Sequence, residues 1–339
     1  MSTITNQRAA REGTLLLTRR DIAELLSLDE CIAAVEQAFR LHGEGKTPQP
    51  GILGIPAQEG GFHIKAATLE LAKPYFAVKV NGNFMRNMER FGMPNIQGVI
   101  VLCHGEHGYP LALMDSIEIT IQRTGAATAV AAKHFARLES RVATVCGCGN
   151  QGRIQLRALT KVLPIERVYA FDTDERQAQQ FSSDLSNELH IEVRAVQDLA
   201  KAVGASDVCV TCTPSRRSFL NREYVAPGAF IAAVGADAPE KQELDPTLLA
   251  SSTVVVDILD QCATIGELHH ALEQGLITRA AVHAELGEVV VGRKPGRTSA
   301  EEIVIFDSTG TALQDVAAAA LAYEKALAAG VGITLNLAG

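Results

Sequence analysis

No part of the 339-residue sequence is a dense run of lysine and arginine, and its formal net charge is −8. A chain without a basic stripe is a poor match for nucleic acid or an anionic membrane, so a small molecule is the expected partner. Missing too is the apolar core of a secretory signal: the opening residues, MSTITNQRAAREG, are polar, and no export is expected. No apolar run is long enough for a bilayer. The most apolar late segment, VAAAALAYEKALAAG from Val316, is interrupted by Glu324 and Lys325 and reads as a helix in water. The seven cysteines are odd in number and lack the spacing of a small disulfide-stapled domain, which suits a reducing compartment, the cytoplasm. Cys146, Cys148, Cys209 and Cys212 could be read as four thiolate ligands, but they fall in apolar strands and turns, where cysteine serves as a small buried hydrophobe. No metal is expected.

What the chain does have is 47% apolar residues, enough for the cores of two domains. Helical spacing comes first, in TRRDIAELLSLDECIAAVEQAFRLHGEGK, with a break around Ser27-Leu28-Asp29 that divides it into two helices. From Gly51 to Asp115 the pattern changes to short β-rich runs (GILGIP, GFHIKAAT, YFAVKVNG, QGVIVLC, PLALMD) separated by glycine, proline and asparagine, which predicts a mostly antiparallel sheet. Asn81 and Asn83 are either active-site amides or turn residues, and the turn reading is preferred. The alanine-rich segment 116–137 predicts a helix leading out of that sheet. Strand and helix then alternate through RVATVCG, RVYAFD, IEVRAV, DVCVTCT, AFIAAVG, TVVVDIL and IVIFD, the mark of a parallel sheet covered on both faces. The expected fold class is α/β: a Rossmann-type doubly wound parallel sheet over residues 123–311, and an α+β substrate and dimerisation domain from residues 1–122 with 312–339.

Within TVCGCGNQGR, Gly147, Gly149 and Gly152 have G-x-G-x-x-G spacing, a weak signal alone. Here the glycines follow a strand, open a helix, and precede a second strand that ends in Asp172, twenty positions beyond Gly152. That is the βαβ context of a dinucleotide site: Gly147 for a tight turn, Gly149 for approach of the pyrophosphate, Gly152 for close helix packing. Asn150 and Gln151 begin the helix, and Thr213 at the end of DVCVTCT completes the expected cofactor set. A carboxylate at position 172 accepts hydrogen bonds from ribose hydroxyls and repels a 2′-phosphate, so NAD (NADH) is expected over NADP, with Arg176 the one neighbour that points the other way.

Four further segments, AVKVNGN, PLALMDSIEITIQRTGAATAVAA, AVGADAPEKQEL and FDSTGTALQD, combine with this loop to resemble the ornithine cyclodeaminase and μ-crystallin family over roughly residues 20 to 325. The resemblance implies hydride transfer between nicotinamide and the α-carbon of a small amino or imino acid. It also implies that Lys79 and Arg123 hold the substrate carboxylate and that Asp237, with Lys79, does the proton chemistry. Elementary chemistry agrees, since lysine and arginine complement a carboxylate and a carboxylate can stabilise an iminium nitrogen. His63 and Lys65 alternate on one strand and therefore share a face, which makes them further candidates for binding substrate. The sequence departs from the family in TPQPGILGIP, where many relatives carry an arginine that binds carboxylate and this chain has none. Either His63 or Lys65 supplies that charge, or substrate is held differently. An amino-acid dehydrogenase or imine reductase is the leading expectation. A cyclodeaminase and a non-catalytic, μ-crystallin-like binder of nucleotide or ligand are the alternatives. A homodimer is expected.

Overall fold

The computed structural model describes residues 13–337. Strand β1 (Thr14–Leu17) begins the first unit, and two reciprocal capping boxes then start the two helices. Thr18 and Asp21 cap α1 (Arg19–Leu25), and Ser27 and Glu30 cap α2 (Leu28–Gly43), each pairing a side-chain oxygen with a backbone N–H that the first turn leaves free. A meander follows: β2 (Gly51–Ala57), β3 (Gly60–Glu70), β4 (Pro74–Asn83), the short α3 (Asn87–Phe91), β5 (Ile96–His104) and β6 (Pro110–Asp115). Neighbours from β2 to β6 pair antiparallel, and β1 adds to β6 in parallel. The register sets Lys65 opposite Lys79 and His63 opposite Asn81. Two like charges side by side destabilise a sheet unless something opposes them, so this pairing already marks an unusual face.

Asp115 accepts from the N–H groups of Ile117 and Glu118 and so starts α4 (Ser116–Phe135), which leaves the first sheet and packs on the second unit. Gly125 permits that approach, because a Cβ there would lie 2.9 Å from Ile154. The second unit runs β7 (Val142–Cys146), α5 (Asn150–Val162), β8 (Arg167–Phe171), α6 (Glu175–Leu189), β9 (Glu192–Ala195), α7 (Leu199–Gly204), β10 (Val208–Thr211), β11 (Arg216–Leu220), β12 (Phe230–Ala233) and β13 (Gln242–Leu244). It continues through α8 (Pro246–Ala250), β14 (Thr253–Val256), α9 (Leu259–Ile265), α10 (Glu267–Glu273), β15 (Ala284–Glu285), α11 (Leu286–Val290) and β16 (Val304–Asp307). Eight of these strands form one all-parallel sheet in the order β15-β14-β16-β12-β10-β7-β8-β9, while β11 and β13 make a small separate pair. Strand order reverses at β7, so a crevice opens beyond the carboxyl ends of β7 and β10, where such sheets bind ligands.

The chain then returns to the first unit. Helix α12 (Ala312–Ala329) packs on α2, β3 and β4, and β17 (Ile333–Leu335) pairs antiparallel with β1. Its apolar face covers the sheet face that carries Lys65 and Lys79. Among the described residues no helix is long and apolar enough to cross a membrane. The turn reading of Asn81 and Asn83 is corrected: both belong to β4, and Asn81 is buried with its Oδ1 accepting from the Ser116 hydroxyl at 2.6 Å. Gly98 on β5 makes room for that amide, since a Cβ there would meet Asn81 Oδ1 at 2.2 Å.

Candidate active site

The glycine loop lines one side of the crevice. Gly147 takes φ +100°, a conformation that side chains rarely adopt, and a Cβ at Gly152 would lie 2.0 Å from the Gly147 carbonyl oxygen. At Gly149 the nearest atom to an added Cβ is 3.9 Å away, so the space above that residue is open to an approaching phosphate. Helix α5 has no side-chain cap at Gly149, which leaves its first N–H groups free for an anion. Gln151 contributes a buried Oε1 without a hydrogen-bond partner. Asp172, at the end of β8, accepts from the N–H of Cys148 at 2.8 Å and of Asp174 at 2.9 Å, so it also braces the loop. A small cavity of about 170 Å³ beside it is bounded by Glu175, Ala178, Gln179 and residues 195–197. Arg176 is exposed on the first turn of α6. These residues fit a dinucleotide.

Three cations converge from the other side. Lys65, Lys79 and Arg123 are only 6%, 3% and 5% exposed. Lys65 Nζ donates to the carbonyls of Thr309 (2.8 Å) and Gly310 (2.6 Å). Lys79 Nζ lies 2.8 Å from Asp315 Oδ2, and Arg123 Nε donates to Asp315 Oδ1 at 3.0 Å while its NH1 reaches Gln314 Oε1 at 2.8 Å. Asp315 therefore pairs directly with two of the three buried cations, and Lys65 is held by backbone carbonyls, with Asp237, Asp315 and Asp257 acting on it at longer range. Burial, reinforced by Arg123 and Lys65 and opposed by Asp315, pulls the Lys79 ammonium down to about 7. Lys65 moves in the same direction through burial and Arg123. Burial works to raise Asp315, but the charges of Lys79 and Arg123 outweigh it and hold the carboxyl below its ordinary range.

Asp237 follows β12 on the loop facing both groups. Lys241 Nζ donates to its Oδ1 at 2.5 Å. Burial favours the protonated acid there, yet Lys241, Lys65 and His63 together keep it below the usual carboxylate range. The His63 imidazole is lowered by its own burial, against the pull of Asp237. Behind this loop sits the fully buried Glu243, whose Oε1 accepts from the Thr213 N–H (2.6 Å) and hydroxyl (2.7 Å) and whose Oε2 accepts from the Gly235 N–H (3.0 Å). It joins the loop after β10 to the loop that carries Asp237.

A cavity of about 540 Å³ brings together Arg123, Gly149, Asn150, Gln151, Thr213 and Asp237. His63 lines a neighbouring cavity of about 750 Å³, which shares Pro214 and Lys241 with the first. Lys65 and Lys79 line neither surface and lie buried behind Arg123. The larger cavity lacks the glycine loop and Asp237, so the smaller one is the place for chemistry. Asp315, Gln314, Lys241 and Glu243 were not among the sequence candidates, although all stand in the segments FDSTGTALQD and AVGADAPEKQEL. The signal was there: an acid in the first turn of an otherwise apolar helix, and an acid one residue before the buried Leu244.

A parallel sheet with its crevice at the order reversal, a glycine loop and an acid across from buried cations define a dinucleotide-dependent enzyme of the Rossmann class. The model of the ornithine cyclodeaminase/mu-crystallin family matches residues 12–330, and the chain belongs to that family. An alanine dehydrogenase from Archaeoglobus fulgidus is 41% identical over 319 residues, which cover 94% of this chain and 97% of the relative. The structure of an archaeal alanine dehydrogenase dimer with bound NAD superposes with a TM-score of 0.90 at 41% identity, over 96% of this chain and 99% of that one. A Thermococcus litoralis Δ1-pyrroline-2-carboxylate reductase, solved with NADH and L-proline, has a TM-score of 0.90 at 35% identity and covers 95% and 100% of the two chains.

Proposed function

We propose that this chain is an NAD(H)-dependent oxidoreductase acting at the α-carbon of a small amino or imino acid, as an amino-acid dehydrogenase or imine reductase. The unit formed by residues 1–122 and 312–339 binds substrate together with Arg123 and Asp237 of the unit formed by residues 123–311, which holds the cofactor. The observation that carries this reading is the convergence of three buried cations, Lys65, Lys79 and Arg123, of which only Lys79 and Arg123 have a carboxylate, the shared Asp315, in direct contact, facing the Asp237 carboxylate across the cleft. Buried positive charge without a full complement of acids is costly, and an anionic substrate supplies what is missing.

The nicotinamide, when bound, exchanges hydride with the α-carbon. Arg123 takes the substrate carboxylate with its planar fork, and Lys79 reinforces it from behind. A carboxylate arriving beside Lys79 favours the protonated ammonium, so binding and proton uptake are linked at that Nζ. Asp237 stabilises the iminium cation, and its Oδ exchanges a proton with the substrate nitrogen. Lys241 keeps this acid ionised until substrate arrives.

Among cyclodeaminase and reductase chemistries, the lining of the cavity favours the second. A diamino acid brings a distal ammonium that needs its own acid, and the only carboxylate lining this cavity among the described residues is Asp237. Met85 and Ile96 line it as well, which suits a short apolar or cyclic side chain. Strand β2, in the segment where the family resemblance implies an arginine, is exposed along its whole length and has no charged residue. The test is a panel of keto acids with ammonia and of cyclic imines, each with NADH, together with amino acids and NAD, followed by nicotinamide absorbance. Turnover of a monoamino or imino acid and none of ornithine is expected. NADH binding without turnover on any substrate would favour a ligand-binding protein.

A further inference from the structure

Beyond the cleft, helix α10 carries His269, His270 and Glu273. His269 Nδ1 lies 2.6 Å from the Gly266 carbonyl oxygen, and His270 Nε2 lies 2.8 Å from the Lys241 carbonyl oxygen. A carbonyl only accepts, so each of these ring nitrogens carries its proton. In the neutral rings the lone pairs are then fixed on His269 Nε2 and His270 Nδ1, and neither atom takes another hydrogen bond among the described residues. The ring centroids are 3.8 Å apart. Glu273, four residues from His269 and three from His270, lies on the same helical side, and ligand atoms from all three residues fall within 4.8 Å of one another.

Histidine ligands that give their second nitrogen to a backbone carbonyl are the usual pattern of metal sites, because that bond fixes the tautomer and the ring orientation. Two imidazole nitrogens and one carboxylate oxygen suit a borderline divalent ion, with water completing a four-coordinate shell on the exposed Glu273 side. We propose that His269, His270 and Glu273 form a binding site for a divalent transition-metal ion, best matched by Zn²⁺. The site bears on the cleft through one residue: His270 holds the Lys241 carbonyl, and the Lys241 ammonium holds Asp237. An ion on His270 Nδ1 polarises the ring and strengthens its bond to Lys241, tightening the back of the Asp237 loop.

The test uses the full chain, stripped with a chelator and titrated with Zn²⁺ against a chromophoric competitor. One equivalent per chain is expected to bind in the micromolar range or tighter, with Glu273→Gln and His270→Gln each weakening it by about tenfold or more. Co²⁺ in place of Zn²⁺ should give visible absorption typical of four-coordination in the wild type and lose it in His270→Gln. Glu273 is exposed, so its variant reports on the site even if a histidine variant folds poorly. Binding no tighter than millimolar, titrations that are alike in wild type and both variants, or binding abolished by thiol alkylation would each overturn the proposal. None of these readouts depends on turnover.

Discussion

Replacing Asp237 with asparagine separates proton chemistry from turn-making at that residue. Asparagine keeps the size and much of the local hydrogen bonding, so a structural role would survive. If Asp237 serves the iminium nitrogen, kcat falls by about 10²–10⁴-fold while NADH affinity hardly changes. Turnover within threefold of wild type would sink that role. Lys79 supplies a second measurement, since burial pulls its ammonium down to about 7. The charged form holds carboxylate, so the affinity for a carboxylate ligand should be full below that pH and fall as pH rises through it. In Lys79→Met the affinity should be weaker and the slope gone. For Asp172, replacement by serine should narrow the preference for NADH over NADPH by roughly 1–3 kcal/mol, the scale of a charged hydrogen bond. Dissociation constants for both nucleotides would decide it, and equal wild-type affinities would remove the basis for the assignment. Asp237, Lys79 and Arg123 could be proposed from the sequence because each stands in a contiguous motif. Asp315 was not, because its partners lie 236 and 192 positions away in the chain and only the return of α12 brings them together.

The carboxyl ends of the strands hold a second group of acids that no local pattern announced. Asp307 ends β16, is fully buried, and accepts from the Leu268 N–H at 2.8 Å at the start of α10. Burial, with Asp257 adding to it, raises this carboxyl to about 7. A folded-state value above the unfolded one means that the native protein holds the extra proton. The stabilisation is thus complete below the unfolded value and is lost as pH rises through about 7. Asp307→Asn cannot ionise, so between pH 5 and 8 the wild type should lose melting temperature relative to this variant, as followed by circular dichroism. A constant difference across that range would contradict the buried proton. The strands that carry these acids were readable as continuous apolar runs, because both faces of the parallel sheet are covered. The elements that escaped are short: β15 has two residues, β17 three, and β1 is the four-residue TLLL beside a polar arm. Runs of that length show no period, and pairing with distant partners decides them. Asn81 was misread for a related reason, because its amide is satisfied by Ser116 across the sheet rather than by a local turn.

At the scale of the whole molecule, the β2 edge of the first sheet is exposed among the described residues. Strand β2 is an edge strand, and Ile52, Leu53 and Ile55 on it are 42%, 54% and 45% exposed. The apolar surface continues through Phe62 to Phe91, which border a common cavity, and Phe91 on α3 is 60% exposed. An open edge beside an apolar patch of this kind is a liability for a monomer and a ready interface for a second copy related by a twofold axis. The related archaeal alanine dehydrogenase is a dimer, which agrees with this expectation. The cavity of about 750 Å³ lined by Ile55, Phe62 and His63 on one side and Ala238 to Lys241 on the other opens at the same edge. A partner seated there would close the approach to the Asp237 loop, so assembly and turnover should be coupled. Sedimentation at micromolar concentration is expected to give twice the 36.1 kDa of the chain. Ile55→Glu combined with Phe91→Glu places a charge on each half of the patch, and because both side chains are exposed the single chain should still fold. That variant should sediment as a monomer, keep its NADH affinity, and lose catalytic efficiency through a raised KM as the cavity opens to water. A wild-type monomer with full activity would refute the interface, and a monomeric variant with unchanged KM would show that the partner does not shape the entrance to the site.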